Sequence, residues 1–338
     1  MNQEALEKGL SLYKEQRYVE SAPYLLQCLD TDDPEIMHCI AMLYSKGLGV
    51  EQNDEEAFKW FLRAALEGNY KSQFNLGLIY DSGNDAVEQS YERSFKWFLK
   101  SAEQDFPKAM YRVGWSYQFA RGVDYNYPEA VRWYRKGAQK GEMKCQKSLA
   151  TMLEFGLGTE KNLQEAFEWY LKSAENGYAP AQNDVGMCYE CGAGTEVNPE
   201  EAFKWYKKSA EQGDVSGMVN LGDVYYRGFG CKQNYDEAAK WFLKAAQYGD
   251  DLGEYNLAML LIKGEGISQN FKDGIYWLEQ SAQHGRKSAQ YHLASFYEKG
   301  LLGVPQDIKK ALYWYQRAAD EGHEEAKKCL ERLKKSNE

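Results

Sequence analysis

Proline, histidine and clustered basic charge are all scarce in this chain. It has seven prolines and four histidines in 338 residues, while 43% of the residues are hydrophobic and 27% are charged. This composition excludes a disordered or low-complexity chain, because it supplies enough apolar side chains to build a core. The formal net charge is −10 and no basic block is present, which argues against neutralisation of many phosphates. We therefore predict neither nucleic acid nor an anionic membrane as a partner.

The chain also lacks a regular cysteine framework and a long apolar run. Its seven cysteines form an odd, unevenly spaced set: Cys28, Cys39, Cys145, Cys188, Cys191, Cys231 and Cys329. This pattern is typical of reduced thiols rather than disulfides, so we predict a cytoplasmic location. No stretch of about eighteen apolar residues is present to span a membrane. The segment Met1–Gly9 lacks the basic-then-apolar order of a secretory signal.

Motifs that carry chemistry are few, and each has a simpler structural interpretation. Cys188 and Cys191 form a CxxC pair, but no second pair or histidine cluster lies near them in sequence to complete a zinc site. Glycine pairs such as Gly47 and Gly49 follow a predicted helix, whereas a dinucleotide-binding fingerprint follows a strand and has a third glycine. We therefore predict no catalytic residue, no metal ligand and no cofactor, and we expect that the protein is not an enzyme.

What the chain does have is tryptophan at regular spacing. Eight of its nine tryptophans are separated by 36 or 37 residues: Trp60, Trp97, Trp133, Trp169, Trp205, Trp241, Trp277 and Trp314. A single globular core does not produce such a series, whereas a stack of similar units does. We interpret this tryptophan column as packing between successive layers of a repeat array.

Each tryptophan of the column has the same neighbours. An alanine follows it by five residues, a glycine follows by eight residues in seven of the eight units, and a residue suited to helix capping precedes it by seven. The capping residues are Asn53, Ser90, Asn126, Asn162, Asn198, Asn234, Asn270 and Asp307. Such a residue begins a helix and a glycine ends one. Each unit is therefore predicted to be a helix, a glycine-containing loop, a second helix and a tight turn, without strands.

These columns resemble a known repeat family. The segments Ala202–Gly213 (AFKWYKKSAEQG) and Ala181–Gly194 (AQNDVGMCYECGAG) are similar to the Sel-1-like repeat (SLR), a relative of the tetratricopeptide repeat. The resemblance implies an all-α, right-handed superhelical solenoid of helix hairpins. It divides the chain into a capping hairpin at residues 1–33, eight repeats at 34–322 and a capping helix at 323–338. The cysteine-rich secreted branch of the family has a disulfide in each repeat, and this chain lacks those cysteine pairs.

The resemblance also implies a function, because most members of the family are adaptors that bind other proteins. The first hypothesis is a non-enzymatic scaffold that holds a peptide or protein segment on the concave face of the solenoid. The alternative is an inhibitor or immunity-type protein that sequesters one enzyme or toxin. An enzyme is the third hypothesis, and it requires a polar constellation inside the curve that the sequence does not reveal.

The candidate contact residues come from a helical wheel of the first helix in each repeat. With Leu76 or its equivalent at zero and about 100° per residue, the positions two before and two after it lie opposite the core. Because the first helices line the concave side in solenoids of this kind, we predict that apolar residues at these positions contact a partner. They form a first cluster of Phe74, Leu78, Tyr111 and Trp115 and a second cluster of Tyr255, Met259 and Tyr291. Trp115 lies outside the tryptophan column, and exposed aromatic patches usually mark recognition sites.

Overall fold

The computed structural model describes residues 3–336, and within that range the chain forms 19 α-helices and no β-strand. The prediction of an all-α chain of helix hairpins is therefore confirmed. The outermost residues of the two predicted capping segments, 1–2 and 337–338, lie outside the described range. A single isolated bridge between Asn84 and Val87 closes the loop of the second repeat.

The chain divides into two compact units, and the division falls inside one helix, between Lys172 and Ser173. The first unit contains α1 (Gln3–Lys14), α2 (Tyr18–Leu25), α3 (Pro34–Lys46), α4 (Asp54–Leu66), α5 (Tyr70–Ser82), α6 (Tyr91–Glu103), α7 (Pro107–Phe119), α8 (Tyr127–Gln139), α9 (Met143–Phe155) and most of α10 (Leu163–Glu175). The second unit contains α11 (Ala179–Cys191), α12 (Pro199–Glu211), α13 (Val215–Arg227), α14 (Tyr235–Gln247), α15 (Asp251–Lys263), α16 (Phe271–Gln283), α17 (Lys287–Lys299), α18 (Ile308–Asp320) and α19 (Glu324–Ser336). From α3 to α18, odd-numbered helices are the first helices of the repeats and even-numbered helices are the second.

Helix capping sets where the second helices begin. In α8, Asn126 Oδ1 accepts a hydrogen bond of 3.0 Å from the backbone N–H of Glu129. The same bond is made by all eight predicted capping residues, which confirms that column. Every helix from α4 to α18 has 13 residues, or about 20 Å. Equal lengths allow neighbouring helices to pack along their whole length.

In four of the eight repeats the two helices pack where a glycine of the first meets an aromatic ring of the second. A Cβ atom at Gly114 would lie 2.6 Å from Tyr134 Cε1, so only glycine allows α7 to approach α8 this closely. Tyr134 is fully buried there, next to the buried Val113. Gly186 and Tyr206 repeat the arrangement in the second unit. At this position of the second helix seven of the eight repeats contribute an aromatic ring to the core, and the seventh contributes Leu278.

The tryptophan column has two roles in packing. Trp60, Trp133 and Trp205 are buried, as the packing interpretation requires, whereas the other five are half-buried. In seven of the eight repeats a lysine or arginine three residues later lies over the indole ring. The distance from Lys208 Nζ to the Trp205 ring centroid is 3.9 Å. These cations cover the outer face of the column and account for its basic neighbours.

The residue after each column tryptophan is coupled to a position at the end of the first helix. Where that residue is tyrosine, its hydroxyl donates to a glutamine or glutamate of the same repeat. The four pairs, each 2.7 or 2.8 Å apart, are Tyr134 with Gln118, Tyr170 with Glu154, Tyr206 with Glu190 and Tyr315 with Glu298. Where it is Phe61, Phe98, Phe242 or Leu278, the facing position holds Ser45, Ser82, Tyr226 or Ile262. Each of these four tyrosine hydroxyls thus has an acceptor within its own repeat.

Candidate partner-binding surface

In the first unit, three first helices lie side by side and form a surface that we call the first-helix face. It consists of the outward sides of α5, α7 and α9. Arg112 on α7 is 3.6 Å from Asp81 on α5, and Lys144 Nζ on α9 is 5.7 Å from the ring centroid of Tyr111. Equivalent positions of the three helices therefore form rows that run across the face.

The four residues of the first cluster are all half-buried on this face. Phe74 packs against two rings of the first unit, with centroid distances of 5.5 Å to Phe98 and 5.2 Å to Phe106. Tyr111 lies 6.1 Å from the buried ring of Tyr134, and burial raises the pKa of its hydroxyl. The cluster thus has its inner side fixed by core rings and its outer side in solvent.

Trp115 is the centre of a more exposed group. Its ring centroid is 5.3 Å from that of Phe119, and the guanidinium of Arg121 lies 5.1 Å above it. Phe119 is 48% exposed, and Phe155, at the equivalent position of α9, is 64% exposed. Sequence reasoning missed both phenylalanines because the wheel stopped two residues after the reference leucine. They lie four residues beyond Trp115 and Thr151, on the same face, so the signal was available.

The second cluster is arranged differently, in the second unit. Tyr255 and Met259 line a cavity of about 200 Å³ between α13 and α15. The ring of Phe242 and the side chain of Leu260 complete the apolar part of its wall. Tyr291 does not line the cavity: it stacks on His323 at 4.6 Å and lies 5.9 Å from Tyr315. The structure therefore brings Tyr255 and Met259 together and places Tyr291 against the last two helices.

The polar side chains around this cavity are largely paired with one another. Asp223 accepts a 2.6 Å hydrogen bond from Arg227. The Tyr226 hydroxyl donates to Glu265 at 3.2 Å and lies 3.4 Å from Lys263 Nζ. Burial raises the pKa of Tyr255, so its hydroxyl is protonated at neutral pH. The cavity rim is therefore a network of satisfied charges around an apolar centre.

The described residues contain no group of side chains suited to hold a metal ion. No three histidine, cysteine, aspartate or glutamate side chains in the described part come together as metal ligands. His38, which occupies the same repeat position as Phe74, is buried and shares a 2.9 Å hydrogen bond with Ser72. Its burial lowers the pKa of the imidazole to about 4, so it is a neutral core residue at physiological pH. No helix between residues 3 and 336 is long and apolar enough to cross a membrane.

Comparison with known proteins relates this architecture to one family. The family model described as Sel1 repeat matches eight segments, at residues 37–69, 71–106, 107–142, 144–178, 179–214, 215–250, 252–285 and 287–323. Each segment covers all or most of one first helix together with the second helix of the same repeat. A search of curated proteins gives no significant match.

Two solved structures are similar over most of the chain. One is a protective antigen of uropathogenic Escherichia coli strains that displays an SLR fold; it is 31% identical, with a TM-score of 0.76. The match covers 90% of this chain but only 65% of the antigen. The other is a Sel1 repeat protein from Oxalobacter formigenes, also 31% identical, with a TM-score of 0.66. That match covers 73% of this chain and 96% of the Oxalobacter protein.

Proposed function

Because this chain belongs to the Sel1 repeat family, whose members typically mediate protein–protein interactions, we propose that it is a non-enzymatic scaffold for a protein or peptide segment. The contact residues are the first cluster on the first-helix face and Tyr255, Met259 and Tyr291 on the first helices of the second unit. In this proposal α1 and α2 cap one end of the repeats and α19 caps the other. No disulfide bond joins any of the seven cysteines, all of which lie in the described range, and this supports a reducing, cytoplasmic compartment.

One observation carries this proposal: the exposure of Phe119 and Phe155. Both rings are exposed, so neither contributes to a repeat core. The repeat pattern does not require an aromatic residue at this position, because α11 has Cys191 there. The ring of Phe119 contacts Trp115, and Phe155 is exposed at the equivalent position of the next first helix, so this face presents apolar rings on neighbouring helices. Patches of this kind on soluble proteins usually mark binding sites, and aromatic side chains dominate their binding energy.

A photo-crosslinking experiment tests the proposal and captures a partner whose identity is still open. A benzophenone amino acid replaces Phe155 on the first-helix face or, as a control, Tyr276, which is 52% exposed on the second helix α16. We expect ultraviolet irradiation in cells to give discrete crosslinked proteins from position 155 and none in common with position 276. Identical products from both positions, or none from position 155, would contradict the scaffold. One partner at a one-to-one ratio that loses activity when bound would instead favour the inhibitor.

A further inference from the structure

The first-helix face is basic, although the protein as a whole is acidic. Helix α7 contains Lys108 and Arg112 and no acidic residue, and α9 contains Lys144, Lys147 and a single acidic residue. The two helices together have a net charge of +3 in a chain whose net charge is −10. By contrast, α11 and α15 of the second unit have two acidic residues each and at most one basic residue. Positive charge is therefore concentrated on the two helices that contain the exposed rings.

Three of these cations form a row, which we call the lysine row. It consists of Lys71, Lys108 and Lys144, each at the second position of its helix. Lys71 forms a 2.7 Å ion pair with Glu35. Lys108 and Lys144 are exposed and have no carboxylate partner among residues 3–336; Lys144 Nζ lies 5.7 Å from the ring centroid of Tyr111. Two cations of the row are thus available to an external group.

The stability of the fold does not account for the lysine row. A cation in the first turn of a helix opposes the helix dipole and costs a few tenths of a kcal/mol or more. Helices α13 and α15 of the second unit begin with Asp214 and Asp250, which cap them with hydrogen bonds of 2.8 and 2.7 Å. Helices α7 and α9 have neither a side-chain cap nor an acidic residue in the first turn. The lysines therefore stand where stability alone favours an acidic residue.

The lysine row and the exposed rings occupy opposite ends of the same face. Along α7, Lys108 is followed on one side of the helix by Tyr111, Trp115 and Phe119. The equivalent residues of α9 are Lys144, Lys147, Thr151 and Phe155. Thirteen residues span about 20 Å, so the cations and the outermost rings are separated by roughly 15 Å along the helices. A ligand that satisfies both ends needs a negative part and an apolar part at that separation.

We infer that the first-helix face binds an acidic peptide segment of a partner protein that also presents aromatic or aliphatic side chains. This inference rests on the proposed scaffold function and specifies its ligand. Carboxylates of the segment pair with Lys108 and Lys144, while its apolar side chains pack on Trp115, Phe119 and Phe155. A basic segment is repelled by the lysine row and is excluded.

The test starts from peptides selected by the full-length protein. A display library of random peptides of about 12 residues is panned on the purified chain, and bound peptides are eluted and sequenced. We expect enrichment of aspartate and glutamate together with aromatic residues or leucine. The dissociation constant of the most enriched peptide is then measured by fluorescence polarisation at increasing salt concentration. Its affinity should fall as salt rises, because exposed charges are screened.

Two double variants distinguish the effect of charge on the first-helix face from the effect of the net charge of the protein. The double variant Lys108→Glu with Lys144→Glu should raise the dissociation constant of the enriched peptide by about tenfold or more. The two new glutamates then repel the carboxylates of the peptide. Lys96→Glu with Arg132→Glu makes the same change in net charge on the second helices α6 and α8, where both side chains are well exposed. This control should change the affinity by less than about twofold. Circular dichroism establishes that both variants remain folded.

The outcomes distinguish the acidic ligand from the scaffold itself. Enriched peptides that are neutral or basic but lose affinity in Trp115→Ala would overturn the acidic ligand and leave the scaffold function standing. Equal weakening by the two double variants would also overturn it. If no selected peptide depends on Trp115 or Phe155, the first-helix face is not a binding surface, and the proposed function fails together with the inference.

Discussion

The two predicted clusters occupy equivalent positions of the repeat but form different surfaces. On α7 these positions hold the half-buried Tyr111 and Trp115, and the ring of Trp115 contacts the exposed Phe119. On α13 they hold Val219 and Asp223, and the space between α13 and α15 is left as the cavity beside Tyr255. The backbone is the same in both cases. Equivalent positions therefore carry a ridge of exposed rings in the first unit and border a cavity in the second.

The comparison also shows that a position in the repeat does not fix exposure. His38, Phe74 and Tyr111 follow one another at the same repeat position in the first unit, yet His38 is only 8% exposed. Its ring packs 5.8 Å from Phe61 and shares a hydrogen bond with Ser72 on the next first helix. Phe74 and Tyr111 have Ala109 and Cys145 at the position of Ser72, so neither has a hydroxyl partner there, and both remain half-buried.

The largest expected effect concerns His38 and acid. Because the imidazole pKa is about 4 in the folded protein and 6.5 when solvated, the unfolded state takes up the proton first. The stability that the neutral imidazole contributes is fully present above pH 6.5. It is lost as the pH falls to about 4, and the free energy of unfolding then decreases by up to about 3 kcal/mol. We measure the free energy of unfolding in urea at pH 7 and at pH 4.5, and we expect His38→Gln to reduce the difference between the two values. An unchanged pH dependence would mean that His38 accepts a proton without unfolding.

Trp115→Ala should have the next largest effect, on binding rather than folding. Removing a central aromatic contact costs about 2 kcal/mol, or about thirtyfold in the dissociation constant. The helical circular dichroism spectrum should be unchanged, because Trp115 is outside the tryptophan column. The matched control is Tyr276→Ala, which removes an exposed ring from α16. If Trp115→Ala unfolds the protein, or if the variant binds the partner as tightly as the parent protein does, the first cluster is structural.

Tyr255→Ala should weaken the binding of the same partner by only about 1 kcal/mol. Its ring is stacked with His292 at 6.0 Å and lies beside the cavity rather than on a ridge, so less of it is available to a ligand. Binding assays with the partner identified by crosslinking compare it with Trp115→Ala. A loss as large as that of Trp115→Ala would show that the two clusters contribute equally, and the contrast between ridge and cavity would be irrelevant to affinity.

The smallest expected effect is at the end of α7. Ala120 has a φ of 54°, a left-handed conformation that Gly156, Gly192 and Gly228 adopt at the equivalent positions. Ala120→Gly should therefore stabilise the protein by up to about 1 kcal/mol, since the strain of the Cβ atom is removed. Gly156→Ala, the converse control, should destabilise it by a similar amount. Thermal unfolding measures both, and a destabilised Ala120→Gly would mean that chain entropy outweighs the strain.

The repeat architecture could be predicted from sequence because its determinants are local. Asn126, for example, caps the helix that begins beside it, and the tryptophan column repeats at a fixed spacing. The surfaces depend on contacts between helices of different repeats, which the spacing does not encode. Tyr291 stacks on His323, which directly precedes the last helix, and the cavity is lined by Asp223 of one first helix and Tyr255 of the next. Phe119 and Phe155 follow Trp115 and Thr151 by about one helical turn, so a helical wheel extended by one turn includes them.

The pairing of each buried tyrosine with its acceptor defines what can be exchanged between proteins of this kind. Tyr206 and Glu190 belong to one helix pair, so a genetic duplication or transplant of that pair carries the bond with it. The ion pair between Glu190 and Arg227 joins two successive pairs and is lost when their order changes. A chimera cut between helix pairs should therefore retain its buried hydroxyl bonds and need new partners only at the junction. Cuts inside a pair leave a buried hydroxyl without an acceptor, which makes the intact helix pair the natural unit of recombination.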